Sequence, residues 1–156
     1  MGIYRQCRKG NEMRILVQRS GPSSVKVDGK IVGKIDSGLT LLVGFTVGDN
    51  VEKIDYLIKK VLNLRIFPDE NGVMNKSILE VGGEILSISQ FTLYADTKKG
   101  NRPSYINALS GPESSILYDT FNERLEKEIK VKKGIFGADM EVSITNIGPT
   151  TILLER

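Results

Sequence analysis

Apolar positions along this chain fall into short runs whose period changes from one segment to the next. Met13-Arg14-Ile15-Leu16-Val17-Gln18-Arg19 reads as a strand ending in charge, and Ser20-Gly21-Pro22 turns the chain after it. Val25 to Val32 has the form of a tight hairpin in which Asp28-Gly29 supplies the positive-φ positions. Gly38 to Phe45 is nearly all apolar and predicts a buried central strand. Helical spacing then takes over. Asp49 and Asn50 can cap a helix to about Leu64, with Val51, Ile54, Leu57, Ile58, Val61 and Leu64 on one face. Arg65-Ile66-Phe67 leads into a turn through Pro68 and Gly72. Gly82-Gly83 precedes a further predicted strand, Ile85 to Ala95. On a regular strand Ser89 and Phe91 share one face and Gln90 and Thr92 the other.

A long loop, Asp96 to Gly111, separates that strand from a second helix. Ser110, Pro112 and Glu113 predict its start with a capping box, and Leu117, Phe121 and Leu125 predict its buried stripe. Glu123 with Lys127 and Glu126 with Lys130 have the spacing of exposed ion pairs. Gly134 closes the segment. Met140 to Thr145 alternates as a strand, Gly148-Pro149 interrupts, and Thr150 to Glu155 forms another. About seven strands and two main helices, not in strict β-α-β order, predict an α+β fold: a β-rich single domain over residues 13–156. Residues 1–12 lack periodicity and read as an N-terminal extension, expected to be mobile.

The 156-residue length is enough for one domain to bury its own core. No apolar run approaches the roughly 20 residues of a membrane span, and the first residues lack a secretory h-region. A cytoplasmic location without membrane partners is therefore expected. Of the net charge of +3, two units come from Arg5, Arg8 and Lys9 against Glu12. The remainder of the chain is nearly neutral, so any nucleic-acid contact needs a local patch. Lys98, Lys99 and Arg102 form one candidate, and Lys130, Lys132 and Lys133 another.

Two absences constrain the chemistry further. The chain has no His, and its one Cys is Cys7. Ser-His-Asp and Cys-His triads, disulfide frameworks and Cys/His zinc sites are thereby excluded. No metal or cofactor is expected. A P-loop between Gly29 and Lys34 fails on spacing. A calcium loop from Asp69 fails because Val73 and Met74 stand where an oxygen ligand and a Gly are needed. Two stretches remain: Ser89-Gln90-Phe91-Thr92, which puts hydroxyls and an amide where a buried strand would carry Val or Leu, and Asn146 to Thr151.

Taken together, Gln18-Arg19, Arg65-Ile66-Phe67 with Gly72 and Met74-Asn75, Ser89 to Leu93, Gly100 with Arg102-Pro103-Ser104, Phe136 to Met140, and Asn146 with Gly148-Pro149 resemble the D-aminoacyl-tRNA deacylases. The resemblance runs from Met13 to the C-terminus; the N-terminal dozen departs from it, and Thr150 stands where Val is also common. It implies a homodimer with active sites at the subunit interface. It also implies hydrolysis of the ester joining a D-amino acid, or glycine, to the terminal ribose of tRNA. By the same resemblance Ser89, Gln90, Phe91 and Thr92 form the catalytic pocket, and Gly148 and Pro149, joined by a cis bond, enter the neighbouring subunit's pocket. Arg19 braces that turn, and Phe136 and Met140 are supporting residues.

Main chain packed that close to the substrate would reject an L side chain sterically and pass D-amino acids and glycine. With no His to activate it, Thr92 reads better as pocket wall than as nucleophile. Backbone N–H groups near Phe91 and Thr92 would then stabilise the oxyanion, and the ribose 2′-hydroxyl would help activate water. Three alternatives remain at this point: an RNA-binding module without catalysis, a small-molecule esterase or amidase using Thr92 or Ser89, and a purely structural β-rich dimer.

Overall fold

The computed structural model describes residues 12–156, so the extension expected over 1–12 lies, apart from Glu12, outside the described residues. In chain order the elements are β1 (Arg14–Ser20), β2 (Ser23–Val27), β3 (Lys30–Ile35), β4 (Gly38–Gly44), α1 (Val51–Asn63), β5 (Phe67–Pro68), β6 (Met74–Lys76), α2 (Ile78–Val81), β7 (Glu84–Ser89), a 3-10 turn (Phe91–Tyr94), α3 (Gly111–Glu126), β8 (Val131–Lys133), β9 (Glu141–Ser143) and β10 (Asn146–Glu155). A five-stranded sheet in the order β10-β1-β4-β7-β8 carries the fold, with β4, β7 and β8 parallel and β10, β1 and β4 antiparallel. A three-stranded sheet, β3-β2-β9, covers one of its faces.

The period-2 pattern of the strands sorts side chains between two apolar layers. Ile15 and Val17 of β1, Leu39, Leu41 and Val43 of β4 and Ile85 of β7 face the helices, against Ile54, Leu57, Val61, Phe121 and Leu125. On the other face Leu86 and Ile88 pack on Val25 and Ile35 of the small sheet. The β2–β3 hairpin turns at Asp28 and Gly29, with φ of 51° and 78°. Asn50 caps α1 by accepting the Lys53 N–H at 3.0 Å. The α+β class and the single domain are as the pattern predicts.

Five expectations are corrected. The strand predicted through Ala95 stops at Ser89, and Phe91–Tyr94 coils into a 3-10 turn. Its cause is tertiary: the Tyr94 hydroxyl is buried between the carbonyls of Glu12 and Gly44, at 2.6 and 3.1 Å. Gly44 makes room for that ring, since a Cβ there would lie 2.8 Å from Tyr94 Cε2. Ten strands replace the expected seven because β5, β6 and β8 have only two or three residues, too few for a period to register. No capping box forms at Ser110, whose side chain caps nothing; the box is at Ser77 and Glu80, at the start of α2. Among the described residues the pairs within α3 give way to pairs between elements: Glu126 meets Lys133, Lys130 meets Glu84, and Arg124 meets Asp55. Finally, Gly148-Pro149 does not break the last strand. Both residues lie inside β10, in an irregular stretch between Asn146, opposite Ser20, and Thr151, opposite Gln18.

Candidate active site

Because β4 and β7 run parallel, their C-terminal ends open at the same edge of the sheet, where connecting loops diverge and leave a crevice. A groove of about 690 Å³ lies there, within the range of small-molecule sites. Val43 and Phe45 form its floor beside Ser89, Gln90 and Phe91. Tyr105, the start of α3 at Ser110 and Gly111, and the segment Phe136–Met140 form the opposite wall.

Hydrogen bonding fixes both walls. Gln90 donates its backbone N–H to the Val43 carbonyl at 2.8 Å, which holds the end of β7 to β4. Its side-chain amide donates to the Thr92 hydroxyl. Phe91 and Thr92 open the 3-10 turn, so their N–H groups have no partner within it, and no side chain caps them. Phe91 is 55% exposed and stacks edge-on against Tyr105, with ring centroids 5.0 Å apart.

Behind the groove, the Ser87 carbonyl accepts the Tyr118 hydroxyl at 2.8 Å and the Gly134 N–H at 3.1 Å. One atom of β7 thus ties α3 to the segment that carries Phe136 and Met140. Burial pushes the Tyr118 phenol up, against the opposing pull of Ser87 and Asn122. Tyr94 is pushed up more strongly, again by burial. Both stay protonated and serve as donors. Among the described residues no three His, Cys, Asp or Glu side chains gather as metal ligands do.

A second group of residues lies apart from the groove. Arg19 donates to the Ile66 carbonyl at 2.6 Å and to the Gly148 carbonyl at 3.3 Å, and Gly148-Pro149 is a cis peptide. Ser89 pairs with Val43 and Val43 with Ile15, whereas Gly148 lies in the irregular stretch of β10 beside Arg19, four residues further along β1 than Ile15. Four residues along a strand and three strand spacings across the sheet are each about 14 Å, which puts the two groups about 20 Å apart at opposite corners.

The structure therefore gathers Ser89, Gln90, Phe91, Phe136 and Met140 around one groove. Thr92 is bonded to Gln90 but does not line the groove, and Arg19, Gly148 and Pro149 form a separate corner. Sequence reasoning missed Tyr105 and the Ser110-Gly111 helix start. Their signal was the long loop that carries an aromatic and runs into a helix start, a pattern of loops that carry function.

A mixed α+β domain with a groove lined by an amide, hydroxyls and the Asp139 carboxylate, in a chain without His, defines a small enzyme-like fold. Residues 16–155 match the family model described as D-Tyr-tRNA(Tyr) deacylase, and the chain belongs to that family. It is a hydrolase, a D-aminoacyl-tRNA deacylase. A solved structure described as c-Myc DNA Unwinding Element Binding Protein is similar at 38% identity and a TM-score of 0.87, over 92% of this chain and 99% of that one. Another, described as "Structural Analysis of a probable eukaryotic D-amino acid tRNA deacylase", shares the fold at 18% identity and a TM-score of 0.81, over 93% of this chain and 100% of that one.

Proposed function

We propose that two copies of the chain form a homodimer in which each groove is completed by the partner's Gly148 and Pro149. The complete site hydrolyses D-aminoacyl and glycyl esters of tRNA in the cytoplasm while sparing L-esters, a chiral check on translation. The observation that carries this reading is the placement of the two groups at opposite corners of one sheet. Neither group reaches the other within a chain, and a two-fold axis pairs each with its counterpart in the other copy.

The ester carbonyl oxygen lies at the edge of the groove beside Phe91, where the 3-10 turn begins, against the N–H groups of Phe91 and of Thr92 just behind it. Water adds to the carbonyl carbon, and the charge that develops on oxygen is held by those two donors. The carbon–oxygen bond to the ribose then breaks, and the ribose oxygen leaves with a proton. The adjacent ribose hydroxyl helps to activate the water, in a chain that has no His to serve as general base. Gln90 keeps Thr92 and the donor pair in register. Main chain from the partner's Gly148 lies against the α-carbon where an L side chain would project, so selection is by steric exclusion. A D side chain points away, and glycine has nothing to exclude.

Deacylation of matched D-tyrosyl-, L-tyrosyl- and glycyl-tRNA by the purified protein tests the reading. The D and glycyl esters are expected to turn over at least about a hundredfold faster than the L ester, more than one favourable contact supplies. Equal rates on the D and L esters overturn the chiral assignment.

A further inference from the structure

Beside the mouth of the groove the chain projects a closed hairpin, residues 96–104. Reciprocal backbone bonds hold its base, from Asp96 N–H to the Ser104 carbonyl at 2.8 Å and from Ser104 N–H to the Asp96 carbonyl at 2.9 Å. The base is fixed on both sides. Tyr94, just before it, is buried against Gly44, and Tyr105, just after it, lines the groove and packs on Phe91. Lys98, Lys99 and Arg102 sit on the tip, all exposed. None of them takes part in the ion pairs found among the described residues. The one acid of the hairpin, Asp96, turns its carboxylate inward to accept the Lys98 backbone N–H at 3.0 Å.

The other basic run differs. Lys130 is paired with Glu84 at 3.2 Å and Lys133 with Glu126 at 3.5 Å. The hairpin tip therefore concentrates cationic charge without local compensation, on a rigid support beside the site.

We propose that this hairpin is a phosphate clamp that grips the backbone of the last nucleotides of the tRNA and delivers the esterified end to the groove. The proposal rests on the deacylase reading above and names a contact that reading lacks. Arg102 is three residues from Tyr105, so it lies within about 11 Å of the groove wall. A strand whose esterified end sits in the groove therefore brings its nearest phosphates to the three cations of the tip. Such contacts position the strand without reading its sequence.

The test is steady-state deacylation of D-tyrosyl-tRNA at several salt concentrations, comparing the wild-type protein with the Lys98→Ala, Lys99→Ala, Arg102→Ala triple variant. The variant is expected to raise KM roughly tenfold or more and to lower the slope of log affinity against log salt by about 2–3, with kcat changed less than about threefold. A second variant, Lys98→Arg with Lys99→Arg, keeps the charge and is expected to keep the wild-type KM. An unchanged KM and salt slope in the triple variant, with the wild type active, overturns the clamp but leaves the deacylase reading standing. A wild type inactive on D-tyrosyl-tRNA overturns the deacylase reading instead. A triple variant that loses binding to a DNA oligonucleotide but keeps its tRNA KM also overturns the clamp, and assigns the tip to DNA.

Discussion

In the proposed mechanism Thr92 and Gln90 divide the work of the pocket between them. The Thr92 hydroxyl accepts the Gln90 amide and is not among the groove-lining groups, while its backbone N–H stands free at the start of the 3-10 turn. A hydroxyl without a neighbouring base is a weak nucleophile, whereas loss of one oxyanion donor costs about a hundred- to a thousandfold in kcat. Thr92→Ala keeps the N–H and removes the hydroxyl, so kcat on D-tyrosyl-tRNA is expected to stay within about tenfold of wild type. Single-turnover deacylation measures it. A fall of several orders of magnitude would make the hydroxyl the attacking group and displace the water mechanism.

Among the elements, the junction of β7, α3 and the segment after β8 governs the shape of the groove. Tyr118→Phe deletes the hydroxyl that reaches the Ser87 carbonyl and leaves the buried Ser87 hydroxyl without its partner at 3.4 Å. Urea melts are expected to show a loss of about 1–3 kcal/mol, the cost of a broken buried hydrogen bond. The Ser87 carbonyl keeps the Gly134 N–H, so the fold survives.

At the same scale one sees what the sequence can and cannot tell. Strands of five or more residues and the two long helices were legible because each carries a full period of its pattern. The turn at Phe91 was not. Its residues have strand propensity, and what overrides it is a contact 50 residues away, between Tyr94 and Gly44. The capping box predicted at Ser110 matched the right spacing at the wrong helix, since local motifs carry no tertiary information. Arg19, by contrast, was legible only through family resemblance; nothing in its own neighbourhood marks it as reaching Gly148.

For the whole molecule, the proposed site takes a groove from one copy and a main-chain corner from the other, so the active unit it predicts is a pair. Gln90→Ala damages the groove and Gly148→Ala damages the corner; each alone is expected to lose at least about a hundredfold in activity, the cost of a misplaced reacting group. Mixed and allowed to exchange subunits, the two inactive variants form hybrid pairs with one undamaged site each. Activity is then expected to return to about a quarter of wild type, because half the pairs are hybrids and half their sites are intact. A mixture that stays inactive while sedimentation confirms exchange places groove and corner in the same protomer.

The space around Gly148 has a consequence for anyone wishing to improve this protein. A Cβ built there meets no atom within 4 Å, so the isolated fold does not require glycine at that position. Replacing such a glycine by alanine ordinarily stabilises a protein by about 0.4–1 kcal/mol through its unfolded state. A thermostability screen would therefore rank the change as neutral or favourable, and, on the proposed two-chain site, the better-folded product would no longer do its work.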